Sequence, residues 1–324
     1  MIGASPGLSV PRGSLAGMRP ALRPGLQPIW RDRDTVQIGI DPHRASAITG
    51  MSSAAEVVTL LDGSRDRELV VADAARRGVP RAVAERVMTV LAAAGVLIDY
   101  PAELQRSVPP ELRQELAAVL AVASLSGQDG DGGARLIARR SATRVAVRGR
   151  GGLAAMVAEL LTRSGLAARA EPAAGHDRHP VPADLIVVVG HQSPAQAADL
   201  LQLRLPHLAV SAAEAIGVVG PLVQPGSSAC LRCLDLARAE RDPAWPLVLA
   251  QLADREADPP GCDPVLATAV AAQAAAQVVA FADQGPVAPA TVNGTLELVL
   301  PAWQWRRRSW LPHPACWCGG CAAA

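Results

Sequence analysis

Apolar and polar residues change rhythm along this chain, and each change marks a different kind of element. Three short extended pieces, Leu26–Trp30, Thr35–Ile40 and Arg44–Thr49, come first, separated by Asp and Pro turn residues. Helical periodicity follows. The capping box Ser53-Ala-Ala-Glu56 opens a helix that runs to Leu61, where Asp62-Gly63 ends it. A second helix covers Asp66 to Arg77 and stops at Gly78. The third carries Pro80 in its first turn, places Val83, Val87, Val90 and Leu91 on one face, and stops at Gly95. With the strand Val96–Asp99, this sheet and its three helices have the pattern of a small winged helix.

The rhythm then shifts. A connecting helix from Pro110 to about Leu125 leads into the Gly- and Asp-rich stretch Ser126–Gly133, a natural domain boundary. Arg144–Arg148 is a short strand entering Gly149-Arg150-Gly151-Gly152, followed by a helix through Ser164. Leu166–Ala170 is a further strand, and Ala183–Val189 is a continuous apolar run of the kind buried on both faces of a parallel sheet. Ser193-Pro194 starts a helix ending near Arg204, and Leu208–Val210 supplies a fourth strand. Strands and helices alternating at this spacing predict a doubly wound α/β domain. The expected division is a tail at 1–20, a winged-helix domain at 21–105, a connecting helix and linker at 106–140, and the α/β domain at 141–324. The longest apolar stretch, Pro264–Ala282, is Ala-rich and carries Thr268, Gln273 and Gln277. It falls short of a membrane span and reads as a buried helix.

Composition narrows the function. With 324 residues, half of them hydrophobic, the chain has the size for two cores at ~150 residues per domain. Its 31 basic and 30 acidic residues leave a formal charge of +1, so no global field draws in nucleic acid or an anionic membrane. Every basic residue is Arg. No lysine is available for a Schiff base or for the ammonium contact to phosphate that many nucleotide enzymes use.

Five of the six cysteines fall into two clusters, Cys230-Leu-Arg-Cys233 and Cys316-Trp-Cys318-Gly-Gly-Cys321. Two such thiol clusters can close one tetrahedral zinc site and pin the C-terminal segment to the body of the fold. Met1–Pro28 is rich in Gly, Pro and Arg and lacks the apolar core of a signal peptide, which favours a cytoplasmic zinc protein over disulfides. Cys318-Gly-Gly-Cys321 has knuckle spacing, so Cys230, Cys233, Cys318 and Cys321 are the expected ligands. Cys316 is the alternative, and His313 a further candidate. A redox role for Cys230 and Cys233 would not need the distant cluster. Cys262 stands alone, as an incidental thiol or a nucleophile. His176 and His179 read as part of a solvated loop. Trp303-x-Trp305-Arg-Arg-Arg-x-x-Trp310 interleaves aromatics with Arg as single-strand nucleic-acid binders do. Its place between the alternating strand Thr295–Leu300 and the cysteines favours a tryptophan-packed edge with solvated Arg.

Gly149, Gly151 and Gly152 stand after a strand and open a helix, where a nucleotide phosphate can rest on backbone N–H groups. A third glycine is replaced by Ala154, and the same turn serves close strand–helix packing equally well. At the end of the third strand, Gly190-His191-Gln192-Ser193 offers no carboxylate to hold magnesium against a triphosphate. This argues against ATP-dependent adenylation.

The glycine turn, the Asp184-Leu-Ile-Val strand, Gly220-Pro-Leu-Val-Gln-Pro-Gly226, Cys230-x-x-Cys233 and the C-terminal cysteines together resemble the ThiF/MoeB superfamily, relatives of ubiquitin-activating enzymes. With a winged helix in front, the chain is similar to the cyclodehydratase partner proteins of azole and azoline peptide biosynthesis. The resemblance implies a PqqD-like peptide-recognition domain that captures the leader of a ribosomal precursor peptide as an added strand. It also implies a zinc-bearing, Rossmann-type ThiF-like scaffold, a homodimer, and chemistry supplied by a YcaO-type enzyme. Carried over, the peptide would meet Arg44, Ala45, Ser46, Ala47 and Ile48 on one side and Val83, Arg86 and Val87 on the other. The alternatives are an adenylating enzyme and a winged-helix transcription factor. For the latter, Arg81 and Arg86 are thin cover for phosphates beside Asp73 and Glu85.

Overall fold

The computed structural model describes residues 19–41, 45–49, 54–100, 110–126, 131–171, 182–254 and 262–319. Ser53, Arg44, His176, His179 and Cys321, and residues 127–130 of the Ser126–Gly133 stretch, lie outside them. The chain divides into two compact units, Met1–Ala138 and Arg139–Ala324.

In the first unit, β1 (Pro20–Leu22) is followed by β2 (Pro28–Trp30), β3 (Thr35–Ile38) and β4 (Ser46–Thr49). The last three form an antiparallel sheet in the order β2-β3-β4. Three helices come next, α1 (Ala54–Val58), α2 (Arg67–Arg76) and α3 (Arg81–Ala93), then β5 (Leu97–Asp99) and α4 (Pro110–Ser126); in α5 (Ala134–Ala142) the chain passes into the second unit, to which Arg139 and Arg140 belong. Asp66 caps α2 by accepting the Leu69 N–H at 2.9 Å. Val36, Ile38 and Ile48 from the sheet and Val57, Val70, Val87 and Leu91 from the helices make one core. The strand expected at Val96–Asp99 does not join that sheet. β5 pairs with β1, Pro20 opposite Asp99, in a separate two-stranded ribbon. β1 was hidden in a Pro- and Arg-rich stretch where no apolar alternation marks a strand. α1 also ends earlier than Leu61, because the Leu61 carbonyl accepts the Leu22 N–H and Asp62 bridges Ala21.

The second unit is built on a seven-stranded sheet. Its strands are β6 (Arg144–Arg148), β7 (Ala167–Glu171), β8 (Leu185–Val189), β9 (His207–Ala213), β10 (Ile216–Val223), β11 (Gly294–Val299) and β12 (Gln304–Ser309), ordered β12-β11-β10-β9-β8-β6-β7. β7, β6, β8 and β9 are parallel, while β10, β11 and β12 extend the sheet antiparallel. Helices α6 (Gly151–Arg163), α7 (Pro194–Gln202), α8 (Leu231–Ala239), α9 (Trp245–Asp254) and α10 (Pro264–Asp283) complete it.

Both faces of β6, β8 and β9 are covered, which explains their apolar runs, while the edge strand β7 stays largely exposed. Val145, Val147, Leu185, Val187, Leu208 and Val210 join one core with α6 and α10. The residues between them, Ala146, Ile186, Val188 and Ala209, face a second cluster with Leu200 of α7. α10 has 20 residues with a mean hydropathy of 1.8, long and apolar enough by that measure to cross a membrane, contrary to the expectation from its Thr and Gln. It is a core helix here, burying Leu266, Val270, Ala271, Ala274 and Val278. At Gly217 of β10, a Cβ would come within 2.2 Å of the Val270 side chain, so glycine permits this close packing.

Candidate metal centre

Two turns far apart in the chain converge on the cysteines. After β10, Ser228 Oγ accepts the Gln224 N–H at 2.7 Å and closes a turn that delivers Cys230 to the N-cap of α8. Cys233 follows one turn later, as the C-x-x-C spacing on a helix start requires. From the other side, β12 runs into Trp310, whose indole N–H donates to Thr295 Oγ1 at 3.0 Å. Asn293 joins the two approaches. Its side-chain oxygen accepts the Ala229 N–H at 2.8 Å, and its carbonyl accepts the Trp310 N–H at 3.0 Å. No sequence motif pointed to Asn293; its left-handed φ of 51° before Gly294 is the only local signal.

The sulfur atoms of Cys230, Cys233, Cys316 and Cys318 all lie within 4.8 Å of one another. Cys230 is 3.7 Å from both Cys233 and Cys316, and Cys233 is 3.5 Å from Cys318. Zinc–sulfur bonds of ~2.3 Å in a tetrahedron place sulfurs ~3.8 Å apart, whereas a disulfide requires ~2.05 Å. The donor set therefore fits a tetrahedral thiophilic ion, and none of these thiols is in a disulfide. Cys318 stands in the group as expected; Cys316 is in it too, and Cys321 is outside the described residues.

Electrostatics favours a cation. The Cys230 thiol donates to Cys233, and this bond holds Cys233 down to about 4. The same bond, together with burial, pushes Cys230 up, and burial pushes Cys316 up to about 12. Crowded, buried thiols ionise together only when a metal neutralises them. His313 is used otherwise. Its Nδ1 accepts the Ala315 N–H at 3.2 Å, leaving Nε2–H to donate to Glu240 at 2.8 Å. Two guanidinium groups lie over the Trp310 ring, Arg308 at 4.9 Å and Arg238 at 5.5 Å, and Arg238 also covers Trp245 at 5.0 Å. Of the arginines in the Trp-rich edge, Arg307 is not simply solvated: it donates to the carbonyls of Ala290, Val292 and Asn293.

The glycine turn lies elsewhere in this unit. A Cβ on Gly149 would meet Val189 O at 2.9 Å, so this glycine serves close packing of β6 against β8. Gly151 and Gly152 face open space, Gly151 with φ of 81°. Ser193 is a helix cap: its hydroxyl accepts the Gln196 N–H, and the Gln196 side chain accepts the Ser193 N–H at 2.7 Å. Glu171, which sequence reading passed over, pairs with Arg148 at 3.0 Å at the end of β7. Cys262, two residues before α10, packs against the core.

In the first unit, Ser46, Ala47 and Ile48 lie in β4, with Ala45 just before it, and β4 is a terminal strand of its sheet. Val87 is only 2% exposed and belongs to the core with Ile48; Val83 is partly buried and Arg86 exposed. Arg81 pairs with Glu68 and Glu85, which leaves little positive charge on α3 for phosphates.

Fold and site define a two-unit α/β protein with a four-thiol centre. No family model matches the chain, and no curated protein does. Solved structures match over 93% of it. The heterocyclase TruD does so with a TM-score of 0.63 at 20% identity, and a heterocyclase in complex with substrate and cofactor with 0.64 at 18%. The chain spans 43% and 39% of the length of those two proteins. E. coli MccB with ATP matches with a TM-score of 0.56 at 14% identity, and there the match covers 99% of MccB. At these identities the likeness is one of fold.

Proposed function

We propose that the chain is a peptide-recruiting scaffold of ribosomal-peptide modification. It binds the leader of a precursor peptide and presents it to a YcaO-type cyclodehydratase, without catalysing the reaction itself. In this reading the first unit is a PqqD-like winged helix and the second a ThiF-like, Rossmann-type domain. The protein is cytoplasmic, and a homodimer by analogy with ThiF-like proteins.

The observation that carries the reading is the fold shared with the two heterocyclases across both units. Support comes from a structure of MccB, a protein of the same fold, in complex with N-formylated MccA. The terminal strand β4 offers the main-chain edge that an added peptide strand needs, with Arg86 and Val83 of α3 as side-chain contacts. Cys230, Cys233, Cys316 and Cys318 would hold zinc, which would act as a staple between α8 and the segment after β12.

The reading draws support from what the end of β8 lacks for holding a magnesium-bound triphosphate. Gly190-His191-Gln192-Ser193 carries no carboxylate, the Glu171 carboxylate pairs with Arg148, and the chain has no lysine. The reading is tested by titrating a labelled precursor leader peptide against the full chain without ATP. Saturable binding that weakens about tenfold in Arg86→Glu is expected; no binding at all sinks the reading.

The second reading is ATP-dependent adenylation, favoured by the match over nearly all of MccB. Pyrophosphate exchange decides it, and a positive result would displace the scaffold reading.

A further inference from the structure

Beside the cysteine cluster, α7, α8, α9 and Trp317 enclose a cleft of about 180 Å³ walled by Leu201, Leu236, Trp245, Leu249 and Trp317. An apolar cavity of roughly 150 Å³ holds a benzene ring, so this one has room for a single bulky apolar group. Trp317, between Cys316 and Cys318 in the chain, is 58% exposed.

Two charged residues, Asp235 and Arg232, complete the lining. Asp235 is already answered: Oδ1 accepts from Trp245 Nε1 at 3.1 Å and from the Arg238 guanidinium at 3.5 Å. Arg232 senses that carboxylate only through space and makes no hydrogen bond or ion pair among the described residues. The charge left for a ligand is positive.

We infer that this cleft is a binding site for an apolar group of phenylalanine size carrying a carboxylate, the apolar body against Trp245 and Trp317 and the carboxylate on Arg232. A free aryl or alkyl carboxylic acid has this chemistry, and so does a bulky residue beside an acidic one in a peptide. The site is in the second unit and does not depend on leader capture by β4.

The test uses the full chain and three probes at millimolar concentration, followed by calorimetry or ligand-observed NMR. They are N-acetyl-phenylalanine, its neutral amide, and an end-blocked Gly-Phe-Glu-Gly peptide. The acid is expected to bind about fivefold more tightly than the amide, the scale of one partly exposed ion pair. Arg232→Gln should erase that difference while leaving the amide's binding in place. Ala198→Phe, which fills the cleft, should abolish binding of both, with melting temperature and metal content showing that the fold persists. Should that variant misfold, the exposed Arg232→Gln decides alone. Tighter binding of the peptide identifies a partner segment as the source, and tighter binding of the acid a small molecule; either supports the site. Failure of every probe to bind, equal affinity of acid and amide, or indifference to Arg232→Gln overturns it.

Discussion

The sulfurs of Cys230 and Cys316, 86 positions apart in the chain, lie 3.7 Å from each other. A contact of that span between small buried side chains is held by what surrounds it. Here the Asn293 hydrogen bonds and the Arg308–Trp310–Arg238 stack bring the segment after β12 onto α8.

If zinc joins these thiols, removing one ligand leaves three crowded sulfurs and an incomplete site. Cys316→Ser is expected to lose most of its zinc and to lower the melting temperature by on the order of 10 °C, because metal binding is folding free energy. Cys321→Ser should keep both. Metal analysis and a thermal melt on the two variants separate the candidate ligand sets.

Asn293→Gly should destabilise the second unit by ~1–3 kcal/mol, since it leaves the buried Ala229 N–H without its acceptor. Glycine tolerates the left-handed φ of 51°, so the loss reports the hydrogen bond and not backbone strain. Urea unfolding measures it. A matching fall in zinc affinity is expected, because Ala229 fixes the approach to Cys230.

Arg140 and Asp283 form a two-pronged ion pair at 2.7 Å in which Arg140 is 8% exposed. Breaking it on one side, with Asp283→Asn, is expected to cost about 3–5 kcal/mol because a buried guanidinium loses its counter-charge. Replacing both residues with apolar ones should cost less than that single change. A thermal-melt double-mutant cycle checks the order.

His207 is buried in β9 with Nε2 unpartnered among the described residues, and burial lowers its affinity for a proton. The unfolded chain takes up that proton more readily, at the ordinary histidine value near ~6.5. Its contribution to stability is therefore complete above that value and declines as pH falls below it, by at most ~1.4 kcal/mol per unit. Comparing urea midpoints at neutral and mildly acidic pH tests this, and His207→Leu should flatten the decline.

Much of the second unit was legible because local rules and packing agree there. Leu185–Val189 is buried on both faces, and its unbroken apolar run says so; Ser193-Pro194 marks a helix start and is one. β10 was not legible, since Gly217, Gly220 and Pro221 disfavour a strand and are held in one through pairing with β9 and β11. α9 was missed for a related reason: Trp245-Pro-Leu-Val-Leu has no polar face to set a helical period. The cysteine clusters were legible as a pair. Which tail thiols meet Cys230 and Cys233 was not, because knuckle spacing describes a local turn. Trp310 and His313, working through Thr295, Asn293 and Glu240, set where that turn lands.

The four-thiol zinc staple is tested most directly by zinc-edge X-ray absorption on the purified full chain. The account expects about one zinc per chain with four sulfur neighbours at ~2.3 Å, unchanged in Cys321→Ser. A first shell containing nitrogen or oxygen, a shell that changes on loss of Cys321, or no bound zinc would contradict it.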